Sequence, residues 1–486
     1  MKEACGVFAI VASGREVAPL TFDGIFALQH RGQESAGMAV SDGTSITVVK
    51  DTGLVASVFD DRTLHGLNGE YAIGHTRYST AGAQDWAGAQ PVFRSIGLNG
   101  FALAHNGNLT NAASLGDRLG VLPGLAVSDS DILAELIAQS FAEASGANDG
   151  LAAALRVALP MVEGAFSLTL LDAERAFGVR DPHGFRPLCL GRLGSADAPE
   201  GWVLASESPA LDVIGATFVR EILPGEMVII DKDGVSSEFY ATNSEAAENL
   251  CIFEFVYFAR PDTRLRGREV HGTRRRMGEL LAAESWVEAD MVMGVPDSGV
   301  PAAEGFSVAS GIPFGQGLVK NRYIGRTFID PDPDARAKAV RRKLNPLREN
   351  IEGKRLVVVD DSIVRGTTTR ALVKMLKDSG ATEVHLRISS PPFKWPCFYG
   401  IDTPVRQDLL AATHSIDEIV DYLGCDSLAY ITIDSLREAI GLADGFCDAC
   451  LTGDYPTSVP STQTVTLEAG PRADDLPEPQ PALPGV

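Results

Sequence analysis

No apolar run in this 486-residue chain reaches the roughly 18 residues that a membrane-spanning helix needs, so no membrane span and no membrane partner are expected. The opening residues, MKEACGVFAI, lack the apolar core and small-residue cleavage site of a secretory leader, and a cytoplasmic protein is the expectation. Positive charge is scarce: 42 Lys and Arg stand against 64 Asp and Glu, a formal net charge of −22 that argues against a nucleic-acid partner, whose phosphates call for the opposite sign. Cysteines are few and odd in number, seven in all, which fits reduced thiols, metal ligation or catalysis better than a disulfide framework. There is no GKS or GKT and hence no Walker loop, and no internal repeat is visible.

What is present is ordinary globular material, 45% hydrophobic and 22% charged, long enough for two to four domains. In the first half, strand-like runs such as GVFAIVA, SAGMAV, YAIGHTRY and FALAHNG surround helix-patterned DSDILAELIAQSFAEA and GLAAALRVALPMVEG, which predicts sheets with helices stacked on them. After the polar stretch ATNSEAAENL the rhythm changes to alternating helix and strand, which predicts a mostly parallel sheet covered on both faces. The expected limits are 5–240 for the first domain and 241–455 for the second. The Pro-, Thr- and acid-rich residues 456–486 are expected to be a disordered tail.

RLVVVDDSIVRGTTTR, residues 355–370, carries the clearest chemistry of the second half. Leu356 to Val359 suit a central parallel strand, and Asp360 and Asp361 fall at its carboxyl end, where open α/β sheets bind ligands. The loop from Ser362 to Thr368, with Gly366 and three hydroxyl side chains, opens a helix and so offers N–H groups and a dipole's positive end to a phosphate. The two aspartates can accept from ribose hydroxyls and help to hold a hydrated Mg²⁺. An isolated Asp-Asp pair would read more simply as a solvated turn. Residues 320–355, however, hold eleven Lys and Arg against five Asp and Glu, a basic island in an acidic protein that can attract a pyrophosphate.

Cys5 poses a separate question. It is either a core thiol ahead of a strand or a nucleophile that becomes chain-terminal once Met1 to Ala4 are removed. A terminal α-amino group of pKa about 7.7–8.0 would serve as its base without any histidine. Asn106-Gly107 alone reads as a tight turn, Arg77 alone as a surface ion pair, and His30, His75 and His105 have no ligand spacing and receive no chemistry.

Cys5 together with HRGQESAG, GHTRYSTAG, HNGNLTN and SDSD resembles the class II glutamine amidotransferases, whose glutaminase is an N-terminal-nucleophile hydrolase folded as a four-layer αββα sandwich. DDSIVRGTT resembles the PRPP (phosphoribosylpyrophosphate) motif of the type I phosphoribosyltransferases. With both, the chain apart from its tail resembles the glutamine PRPP amidotransferase family.

The resemblance implies a propeptide of residues 1–4 removed autocatalytically, Cys5 as nucleophile, and Asn106 with the N–H of Gly107 as oxyanion hole. It implies Arg77 and Asp129 on the glutamine carboxylate and ammonium, and Asp360, Asp361, Ser362, Arg365, Gly366, Thr367, Thr368 and Thr369 on PRPP. Mg²⁺ would accompany the pyrophosphate near Ser298, Asp360 and Asp361, and the basic segment containing NRYIGRTF would close over PRPP. Purine nucleotides as feedback inhibitors and a homo-oligomer, a tetramer, are implied as well. Rivals that keep the glutaminase but change the acceptor would need an SGG motif or sugar-isomerase domains, and a DNA-acting regulator on the same fold is disfavoured by the acidic balance.

For the remaining thiols, the Cys447–Cys450 pair is by spacing a zinc half-site or a redox pair, and spacing does not choose. One branch of the resembling family carries a [4Fe–4S] cluster in contexts matching Cys251, Cys397, Cys447 and Cys450, which implies four thiolate ligands. Cys189 and Cys425 match no such context and are expected in the core.

Overall fold

The computed structural model describes residues 5–78, 86–96, 100–122, 128–143, 149–241, 247–321, 342–403 and 405–459. The proposed propeptide, the centre of the basic island and most of the expected tail lie outside them.

Strand Gly6–Val11 lies inside a seven-stranded antiparallel sheet, between Tyr71–Arg77 and Pro199–Ala205. Its alternation is double-sided. Phe8 and Ile10 pack under helix Val17–Ala27, while Val7, Ala9 and Val11 meet a second, six-stranded antiparallel sheet. In that second sheet Ala102 and Ala104 of strand Phe101–Leu109 face the first sheet, and Phe101 and Leu103 pack against helices Asp129–Glu143 and Leu151–Ala158. The result is the expected αββα stacking. Between the sheets Ala9, Ala102 and Ala104 alternate with larger aliphatics such as Ile73, Leu190 and Val228, and each fully buried Phe or Leu contributes roughly 1.5–3 kcal/mol.

The second unit is built on a parallel sheet in the order Met291–Gly294, Arg355–Asp360, Glu383–Ile388, Ser427–Tyr430. Both faces of its central strand are apolar because both are covered. Val357 and Val359 belong to the core with helices Val270–Glu284 and Val300–Ser310, and Leu356 and Val358 to the core with helices Thr367–Asp378 and Ile416–Leu423. A short antiparallel pair, Leu318–Lys320 with Leu344–Pro346, brackets the basic island at its base. Leu250–Cys251 pairs in parallel with Phe446–Cys447, so the start and end of the second unit close on one another.

Candidate functional site

Cys5 precedes the central strand of the first sheet, half-buried, with Sγ 3.5 Å from both the N and the O of Tyr78. Burial pushes its thiol up, and the backbone of Tyr78 and the charge of Arg77 pull the other way. Asp129 acts on the same thiol with the opposite sign. The pairing of Gly6 with Thr76 sets Arg77 across from Cys5. Arg77 ends the neighbouring strand Tyr71–Arg77 and is buried. Asp129 opens helix Asp129–Glu143 and accepts from Leu109 N at 3.0 Å and Ser130 N at 2.8 Å, which ties the helix to the strand bearing Asn106.

Asn106 and Gly107 are not in a turn. They lie within strand Phe101–Leu109, opposite Ser167 and Phe166. Both amide atoms of Asn106 are buried with no hydrogen-bond partner among the described residues, a costly state unless a ligand completes it. Gly107 has φ +151°, and a Cβ there would fall 1.9 Å from the Ala165 carbonyl oxygen, so the position requires glycine. His75 Nε2 donates to the His105 carbonyl oxygen at 3.1 Å, and burial lowers the pKa of the ring to about 3, which keeps it neutral.

In the second unit Asp360 ends strand Arg355–Asp360 and Asp361 follows it, buried. Ser298 Oγ, in the loop after strand Met291–Gly294, donates to Asp361 Oδ2 at 2.5 Å, and Ser362 Oγ donates to Oδ1 at 2.6 Å. Burial, then the charge of Asp361, pushes the Asp360 carboxyl well above the usual carboxylate range. Gly366 caps helix Thr367–Asp378 at φ +72°, with Leu410 Cδ2 2.6 Å from a would-be Cβ, so the turn is glycine-specific. Thr367 and Thr368 are exposed at the first turn and Arg365 pairs with Asp408 at 3.1 Å. Thr369 faces inward, so its side chain belongs to the helix packing. Lys320, at the edge of the basic island, pairs with Asp297 beside Ser298.

Cys251, Cys397, Cys447 and Cys450 line one cavity with Phe185, Ile401, Tyr399 and Tyr455. Burial pushes Cys251 up to about 12 and Cys447 and Cys450 well above the thiol range, and the nearby sulfurs add to each shift. No three His, Cys, Asp or Glu side chains among the described residues converge as ligands of a single ion do. Cys189 and Cys425 are core residues.

Residues 75–213 match the family described as glutamine amidotransferase domain, and residues 273–389 the family described as phosphoribosyl transferase domain. The amidophosphoribosyltransferase of Mycobacterium tuberculosis is 51% identical over 476 residues, covering 94% of this chain and 87% of that protein. That of Bacillus subtilis is 45% identical over 468 residues, covering 94% and 95%. Among solved structures, the glutamine PRPP amidotransferase from B. subtilis complexed with ADP and GMP matches with a TM-score of 0.85 at 44% identity, covering 94% of this chain and 98% of that one.

Proposed function

The chain belongs to the amidophosphoribosyltransferase family, which aminates PRPP with glutamine in purine biosynthesis, and we propose that Cys5 opens the glutamine while Asp360 and Asp361 hold the acceptor. The observations that carry the first assignment are the pairing of Gly6 with Thr76, which sets Arg77 across from Cys5, and the Asn106 amide buried without a partner on strand Phe101–Leu109. Removal of Met1 to Ala4 leaves the Cys5 amine to take the thiol proton. The thiolate attacks the glutamine amide carbon, Asn106 and the Gly107 N–H receive the oxyanion, and ammonia leaves as the thioester forms. Water then cleaves the thioester to glutamate and regenerates the thiol. Arg77 and Asp129 orient the substrate through its carboxylate and ammonium.

In the second unit, residues 241–455 by this reading, ammonia attacks C1 of PRPP, the C1–O bond to pyrophosphate breaks, and 5-phosphoribosylamine forms. Asp360 and Asp361 accept from the ribose hydroxyls. The helix start at Gly366 to Thr369, with Ser362 and Arg365, receives the 5′-phosphate. The hard oxygen donors of Asp360, Asp361 and Ser298 fit Mg²⁺, which would neutralise the leaving pyrophosphate. Purine nucleotides, as feedback inhibitors, would compete for the same phosphate-binding loop. A cytoplasmic homo-oligomer completes the reading. Glutamate release with and without PRPP tests the coupling: it should rise on PRPP addition, and an unchanged rate would count against a glutaminase governed by its acceptor.

The four-thiol cavity supports a [4Fe–4S] cluster held by Cys251, Cys397, Cys447 and Cys450, with a structural role. The ligands come from the entry, the middle and the end of the second unit, so ligation would close all three together and its binding energy would become folding energy. Anaerobically purified protein is expected to be brown with about four iron per chain. Cys251→Ser should lower iron content and soluble yield together, and a colourless, active preparation with one zinc or no metal would refute the assignment.

A further inference from the structure

Arg31 is wholly buried and three of its nitrogens are engaged at once. Nε donates to the Cys5 carbonyl oxygen at 3.0 Å, Nη1 to Glu207 at 2.5 Å and Glu254 at 2.9 Å, and Nη2 to Glu254 at 2.7 Å. The two carboxylates come from different units. Glu207 follows strand Pro199–Ala205 of the first, whereas Glu254 begins the buried turn Glu254–Phe258 of the second. Glu254 also meets Arg186 at 3.4 Å, and Arg186 donates to the Tyr399 carbonyl at 2.9 Å. Glu207 is held from the second unit by Thr263 Oγ1 at 2.5 Å and Arg260 N at 2.9 Å, and from its own unit by His30 at 2.7 Å. Against the cost of burial, Glu254 and Glu207 hold the charge on Arg31.

Buried ion pairs are poor sources of net stability, because desolvation offsets most of their attraction; what they supply is fixed geometry. Here the geometry fixed is that of Cys5. Once residue 5 begins the chain, nothing upstream restrains it, and the relation between its amine, thiol and carbonyl depends on where that carbonyl is held. Arg31 holds it, and Glu254 sets the plane of Arg31 with a two-point, fork-on-fork contact that Glu207 alone does not make.

We propose that Glu254 is a positioning residue for the glutaminase reaction: a carboxylate of the acceptor unit that, through Arg31, orients the nucleophile of the other unit. It rests on Cys5 being that nucleophile. The contact that joins the two units therefore also fixes the attacking geometry.

The test uses the full-length enzyme and a diazoketone analogue of glutamine, which alkylates the attacking thiol. In Glu254→Gln the ratio of glutamine-dependent to ammonia-dependent synthesis should fall about tenfold or more, and Cys5 labelling should slow in step, with the glutamine KM changed less than about twofold. Glu254→Asp keeps the charge but withdraws it by one methylene; it should show the same fall, and it serves if the first variant gives no soluble protein. Wild-type labelling and an unchanged ratio in a folded variant would overturn the proposal alone. So would an equal loss with both nitrogen sources together with a lowered melting temperature, which is the mark of a merely structural residue. A wild-type enzyme unlabelled at Cys5 would overturn the nucleophile assignment, and this proposal with it.

Discussion

Cys5→Ala is expected to lower glutamine-dependent synthesis by at least about a thousandfold while preserving synthesis from high ammonia to within about a factor of two. The first half follows from chemistry: without the thiol no thioester forms, and water held near an oxyanion hole recovers only a small part of the rate. The second half follows from architecture. Cys5 heads a strand of the antiparallel sandwich, whereas Asp360 and Asp361 end a strand of a separate parallel sheet, so free ammonia can reach the acceptor without the first site. Steady-state rates with each nitrogen source, on protein of verified melting temperature, decide the matter. Equal loss of both activities in a folded variant would mean that the two chemistries share one site.

The expectation is sharpened by the resting state of the thiol. Burial disfavours the thiolate, so the attack depends on a base, the Cys5 amine, to take the thiol proton. Cys5→Ser tests that base: a hydroxyl of higher pKa in the same place should retain far less activity than its size suggests, because the same amine can scarcely deprotonate it.

Much of this arrangement is legible along the chain because it is local. RLVVVDD reads as a doubly covered parallel strand with acids at its carboxyl end, and the backbone obeys that pattern from Leu356 to Asp361. The turn at Gly366 is equally local, set by a glycine and the helix that follows. Asn106-Gly107 is the opposite case. Its turn propensity is overridden by eight residues of register with strand Gly164–Leu171, a long-range pairing that no dipeptide encodes. Thr369 looks like its neighbours Thr367 and Thr368, and only the face of the helix separates it from them.

The Arg31 network was least accessible, since its partners lie 176 and 223 residues away. One signal was nevertheless present. Glu254 stands alone in the apolar run CIFEFVYF, and a lone acid in such a run asks for a buried cation. The capping box that begins helix Ile416–Leu423, Ser415 with Glu418, is local and readable as S-x-x-E.

Replacing Asp360 with Asn and Asp361 with Ala in one variant should lower synthesis from glutamine and from ammonia alike, by roughly a hundredfold or more, because the acceptor must be held whichever nitrogen attacks it. A loss of that size could also come from a damaged fold, and the electrostatics of the site separate the two explanations. Asp360 carries a carboxyl whose folded-state pKa is raised by burial and by Asp361. A raised carboxylate pKa means that the ionised form is disfavoured in the folded chain, so at neutral pH the pair weakens the ligand-free protein and the penalty fades as pH falls towards protonation. Asp360→Asn alone keeps an acceptor oxygen for the Asp361 N–H now bonded at 2.9 Å and removes one of the two opposed charges. The unliganded single variant should therefore melt no lower than the wild type at neutral pH, and higher if the repulsion dominates, yet bind PRPP poorly in a titration with Mg²⁺. Unchanged PRPP affinity, or an ammonia-dependent rate that survives the double substitution, would show that these two carboxylates are not the acceptor's seat.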